Sequence, residues 1–179
     1  MNQTSENTKC NKLNGKILVN SNLKILDEGL LMLSKLNQAE YQLSLKPTFE
    51  STIGAHFRHL MEHYRCFLDQ YSSGEICYDK RLRDQRLENE LTYAIHVMAV
   101  LQTNLSDINA RYFNQTIMLV DQVTVGSMTT TLNRELLFLQ SHSVHHYTTI
   151  AAMARMHGVQ PEADFGVAIA TLAYQSAES

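Results

Sequence analysis

Glu135-Leu-Leu-Phe-Leu-Gln-Ser-His-Ser-Val-His-His-Tyr-Thr-Thr-Ile150 is the most informative stretch of the chain. It carries apolar residues at three- and four-residue intervals and no glycine or proline, which is the pattern of an amphipathic helix. His142 and His146 are four residues apart in it and project from one face, one turn above the other. Two imidazoles so placed can chelate one divalent metal ion. Projected at about 100° per residue, Leu132, Leu136, Leu139, Ile150 and Met153 define the buried stripe of this helix. His146 falls inside the stripe, His142 on its flank, and His145 points away.

Working upstream, a second cluster (His56, His59, His63) lies in Ser51-Thr-Ile-Gly-Ala-His-Phe-Arg-His-Leu-Met-Glu-His-Tyr64. Seven of the eight histidines fall in the two clusters or just after them. A third histidine from this second helix would complete a three-nitrogen site with open coordination positions. Projection alone puts His56 nearest the apolar stripe (Ile53, Phe57, Leu60, Tyr64, Phe67, Tyr71) and His59 furthest from it, so the third ligand stays open among the three. Glu62 is placed to orient an imidazole, or else is a solvated surface carboxylate. Glu135, seven residues before His142 on the same side, is a candidate acceptor for a ligand imidazole's other nitrogen, a general base, or a partner for Arg134 or a neighbouring arginine. Cys66 faces away from the stripe, which argues against a nucleophilic role. His96 and His157 have no partner at ligand spacing.

Two further stripes complete the reading. Leu23, Leu26, Leu30 and Leu33, continued by Asn37 and Tyr41, predict a helix over about 21–42. Leu87, Leu91, Ile95, Met98, Gln102 and Leu105 predict another over about 87–108. Thr52 or Ser51 is the expected N-cap of the second helix, and Thr129 or Thr130 that of the fourth, which runs to His157 with Gly158 beyond it. Thr116 to Gly126 is β-branched and reads as an extended arm or short hairpin. The expected fold class is all-α: a four-helix bundle with a short extended segment before the last long helix. Residues 1–16 read as a disordered lead-in and 17–179 as one bundle domain.

Composition narrows the function. The 179 residues carry a formal charge of −3 with no long basic stretch, which gives nucleic-acid binding little electrostatic support. The apolar runs are far too short to span a membrane. The polar N-terminal stretch lacks the hydrophobic segment of a secretory signal, and three cysteines without a CxxC motif suit a reducing cytoplasm.

The two histidine-bearing stretches together, Ser51 to Tyr64 and Arg134 to Tyr147, resemble the DinB/YfiT-like superfamily of small helical metalloproteins. The resemblance runs from the first helix through the tail. It implies a four-helix bundle, often dimeric, that binds zinc or nickel through three side chains, one from the second helix and two, four residues apart, from the fourth. The fourth-helix positions match His142 and His146. The family's His-Leu-Ala-like turn matches His59-Leu60-Met61, so the resemblance implies His59, with His56 next and His63 third. Characterised relatives include transferases and isomerases that use low-molecular-weight thiols, and others are described as metal-dependent hydrolases. The implied function is therefore thiol transfer or hydrolysis on a small molecule, with Glu135 or Glu62 assisting. The alternative is a non-catalytic stress-response bundle around a structural ion. With ordinary imidazole pKa values near ~6.5, metal is expected to leave between roughly pH 7 and pH 5 while the bundle persists.

Overall fold

The computed structural model describes the backbone of residues 2–177 and the side chains of 13–113 and 115–177. The chain is mostly helical, with one small sheet. In order, the elements are α1 (Asn2–Ser34), α2 (Gln38–Gln42), α3 (Ile53–Gln70), β1 (Glu75–Ile76), α4 (Arg86–Asn89), α5 (Leu91–Ser106), β2 (Thr116–Asp121), β3 (Gly126–Thr131), α6 (Leu132–Met156) and α7 (Ile169–Ala177). The bundle consists of α1, α3, α5 and α6, with α1 and α3 each packing against both α5 and α6. No helix among the described residues is long and apolar enough to cross a membrane.

The stripes read from sequence form the core. Leu26, Leu33, Phe57, Leu60, Phe67, Met98, Leu105, Leu136, Leu139 and Ile150 are all buried. At roughly 1.5–3 kcal/mol for each large apolar side chain removed from water, this burial is the main force holding the helices together.

Several boundaries differ from the sequence reading, each for a local reason. Helix α1 extends upstream of residue 17, so residues 13–16 are helical where a disordered lead-in was expected. Gly15 lets that turn lie against the Phe113 ring, in space that a Cβ would need. The side chains of residues 2–12 lie outside the described residues. The expected first helix is broken at Asn37, whose side chain accepts from the Ala39 and Glu40 amides while Glu40 reaches back to the Asn37 amide, a capping box that opens the short α2. The third expected helix is interrupted at Glu90, which separates α4 from α5.

Thr52 caps α3 through the Ala55 amide, and Thr131, just beyond the expected threonines, caps α6 through the Arg134 amide. The extended segment is a hairpin, β2 and β3 pairing antiparallel from Thr116↔Thr131 to Asp121↔Gly126, with β1 parallel to β2 on the other side. Asp121 closes the hairpin turn by accepting from the Val123 and Thr124 amides, both at 2.8 Å.

A buried polar set fixes the register of α6 on its neighbours. Asn22 Nδ2 donates to the Leu136 carbonyl at 3.0 Å, Tyr64 Oη donates to Asn22 Oδ1 at 2.7 Å, and Tyr147 Oη donates to the Ile25 carbonyl at 3.0 Å. Each buried group so paired would be costly to leave unpaired, so sliding α6 along α1 or α3 is penalised. The register matters because Tyr147 directly follows His146, and Ser143, also buried, directly follows His142.

Gly54 holds the start of α3 close to α4, since a Cβ there would overlap the Glu88 carbonyl oxygen. Gly54→Ala is expected to cost roughly 1–3 kcal/mol by forcing α4 away. Thermal unfolding measures this, and an unchanged midpoint would contradict the close packing.

Candidate metal centre

The site is built from the facing flanks of α3 and α6. On α6 the fully buried line is Leu139, Ser143, Tyr147 and Ile150. His142 and His146, one residue before Ser143 and Tyr147, therefore sit about 100° around the helix from that line and are half-buried rather than core. This differs from the projection, which placed His146 inside the stripe. His145 is exposed, as the projection placed it. On α3, His56 and His59 are half-buried, and His63 is the most enclosed at 6 % exposure.

One nitrogen from each of His59, His142 and His146 lies within 4.8 Å of the other two, a group that can hold a metal ion. The ring centroids are 5.0 Å apart for His59 and His142, 4.8 Å for His59 and His146, and 4.6 Å for His142 and His146. Nε2 of His142 and Nε2 of His146 are buried and have no hydrogen-bond partner among the described residues. A buried polar atom with no partner costs on the order of 1–3 kcal/mol. Unpartnered nitrogens on two of three imidazoles grouped this closely suit a metal-binding donor set, so the residues present fit a divalent ion.

The other two histidines flank this group in different ways. His56 Nδ1 is 2.9 Å from Nδ1 of His146, so it meets the side of that ring away from Nε2. His63 Nδ1 donates to the His59 carbonyl at 2.7 Å, and its ring lies 4.4 Å from His59 and 4.6 Å from His142.

Burial holds all five rings below the ordinary histidine pKa. His59 is pushed down to about 3 by desolvation and then by His63 and its other histidine neighbours. His146 is also held at about 3, by burial and His142. His142 and His63 are held at about 4, in both cases mainly by burial, with Arg81 adding to it. His56 is lowered by burial and His145. All are neutral at pH 7 with lone pairs available.

The two carboxylates lie in different surroundings. Glu135 is buried in the first turn of α6, accepting from Tyr78 Oη at 3.0 Å and from Thr130 Oγ1 at 2.7 Å. It reaches the histidines only through Tyr78, whose ring lies 5.4 Å from His63 and 5.3 Å from Phe138. Glu62 is 1 % exposed, so it is not a solvated surface group. It accepts from the Asp84 amide at 2.9 Å and sits among Arg58, Arg81 and Arg83, and no hydrogen bond joins it to an imidazole among the described residues.

Tyr78, Arg81 and Phe138 wall the site and escaped the sequence reading. Tyr78 and Arg81 come from an irregular connection with no periodicity to mark it, and Phe138 looks like any apolar residue of α6. Cys66 is buried, donates Sγ–H to the Cys77 carbonyl at 3.3 Å, and has its thiol pushed up to about 11 by burial, so it stays protonated and unreactive.

Comparison with curated proteins and with solved structures returned no match. The model of the DinB family matches residues 10–177, nearly the whole chain and both histidine-bearing helices, so this protein belongs to the DinB family.

Proposed function

We propose that the protein is a metal-dependent enzyme that performs thiol transfer or hydrolysis on a small molecule, with a zinc or nickel ion held by His59, His142 and His146. The observation that carries this reading is the trio of imidazoles with one nitrogen each within 4.8 Å of the others, two of these rings having a buried Nε2 without a hydrogen-bond partner among the described residues. Bound there, a divalent ion supplies Lewis acidity that lowers the pKa of a nearby water or thiol. Three protein donors leave coordination positions open to water or a small substrate, which favours catalysis over the alternative of a closed structural ion.

The remaining residues position rather than react. Glu135 fixes Tyr78 against His63 and Phe138, which shields one side of the site from water. Glu62 holds Arg58, Arg81 and Arg83 together. The substrate class includes low-molecular-weight thiols, the chain works as a homodimer in the cytoplasm, and neither nucleic acid nor membrane is a partner. The free thiols of Cys66 and Cys77 agree with a reducing compartment.

A panel of low-molecular-weight thiols with electrophilic acceptors, together with hydrolysable small-molecule esters and amides, tests the reading. Turnover should vanish with chelator, return on adding zinc or nickel, and be absent from His142→Ala. Turnover indifferent to chelator would contradict it.

A further inference from the structure

We infer that His56 and Ser51 form a proton-ordered relay that sets the tautomer of His146, leaving its Nε2 free for the metal. The inference rests on the metal reading above and adds two positioning residues to it.

His56 Nδ1 and His146 Nδ1 are 2.9 Å apart, a hydrogen-bond distance, so one proton lies between them. If His56 supplied it, the neutral His146 ring would carry its proton on Nε2. That atom is buried without an acceptor among the described residues, so an N–H there would be a stranded donor, and the nitrogen would have no lone pair to give a metal. If His146 supplies the proton, its Nε2 keeps the lone pair that a metal ion shared with His59 and His142 needs. His56 must then accept at Nδ1 and, being neutral, carry its own proton on Nε2. That atom is 2.9 Å from Ser51 Oγ, which can accept it. Only the order His146 Nδ1–H to His56 Nδ1, then His56 Nε2–H to Ser51 Oγ, satisfies every atom and leaves the ligand nitrogen bare. Metal-ligating histidines are generally oriented by such a bond at the other ring nitrogen, and loss of the partner typically weakens metal binding 10–100-fold.

The fold supplies both members from one helix start. Ser51 directly precedes the α3 N-cap Thr52, and His56 lies one turn in, so the relay joins the entry of α3 to the middle of α6. His56 is thereby assigned as a residue acting through His146 and not as a ligand.

The test is zinc affinity of the full chain, stripped of metal and titrated against a chromophoric chelator. His56→Ala should retain one zinc per chain with affinity lowered roughly 10–100-fold. Ser51→Ala should show a smaller loss, and the double variant should match His56→Ala alone, because Ser51 acts only through His56. In long-range proton–nitrogen NMR spectra of the zinc-loaded wild type, His146 should be protonated on Nδ1 and metal-bound on Nε2. Should His56→Ala lose its helical circular dichroism, Ser51→Ala and this spectrum decide. Wild-type affinity in His56→Ala would overturn the relay alone. So would complete loss of stoichiometric zinc from a folded His56→Ala, which would make His56 a ligand, or a His146 bound through Nδ1. A wild-type chain that takes up no divalent ion overturns the relay together with the metal reading.

Discussion

Acid is expected to unload and unfold this protein in one step, well below the pH at which ordinary imidazoles release a metal. His59 and His146 are held at about 3 and His142 and His63 at about 4, first of all by burial. In the unfolded chain the same groups titrate near ~6.5. Between those values the unfolded state binds more protons, so folding stability is complete above about pH 6.5 and falls as pH drops toward the folded values. Proton competition at the folded site is correspondingly weak, and metal occupancy should survive at about pH 6. The window of pH 7 to 5 expected from unperturbed histidines is therefore expected to move down, with the bundle losing stability as the ion leaves. For chelated protein, the melting midpoint should fall continuously, by several degrees or more, from about pH 7 to pH 4. A midpoint flat over that range would mean that the histidines are not held neutral by the fold.

Removing the carboxylate of Glu62 should be among the most destabilising changes in the chain. It is fully enclosed, accepts from the Asp84 amide at 2.9 Å, and lies 3.4 Å from Arg83, 3.7 Å from Arg58 and 3.8 Å from Arg81. Arg58 Nε and Arg81 Nε have no hydrogen bond of their own among the described residues and face Glu62, while Arg58 also pairs with Glu88 and Arg81 Nη1 donates to the Tyr78 carbonyl. Breaking a buried pair by deleting one partner costs roughly 3–5 kcal/mol. Arg83 is half exposed and recovers part of its solvation, which places Glu62→Ala near the lower end, at about 3 kcal/mol. Glu62→Gln keeps the shape without the charge and should also lower the unfolding free energy, while zinc stoichiometry stays at one per chain. Loss of the metal from a folded Glu62→Gln would instead make Glu62 part of the metal site.

The bundle was legible because helix burial imposes a period. The lines Leu26–Leu30–Leu33, Phe57–Leu60–Tyr64 and Leu132–Leu136–Leu139 pointed to the helices that pack together, and the same period put His142 and His146 on one side of α6. Interruptions were less legible. The breaks at Asn37 and Glu90 depend on single caps inside otherwise continuous stripes, and the helical residues 13–16 are held by Phe113, about a hundred positions away. Around the histidines, the projection ranked His59 furthest from the stripe, yet the flank of α3 that carries it is the one facing α6. Glu62 shows the limit most clearly. Two of its three arginine partners, Arg81 and Arg83, and the Asp84 amide come from an aperiodic connection, so its burial could not be read from its own helix alone.

Metal content of the purified chain, measured by plasma mass spectrometry on the wild type, His59→Ala and the His142→Ala/His146→Ala double variant, tests the central claim most directly. About one divalent ion per chain is predicted for the wild type. The double variant is predicted to hold none, and His59→Ala far less than one, with helical circular dichroism retained in each. A double variant that kept its metal, or a wild type that never acquired any, would contradict the site at its foundation.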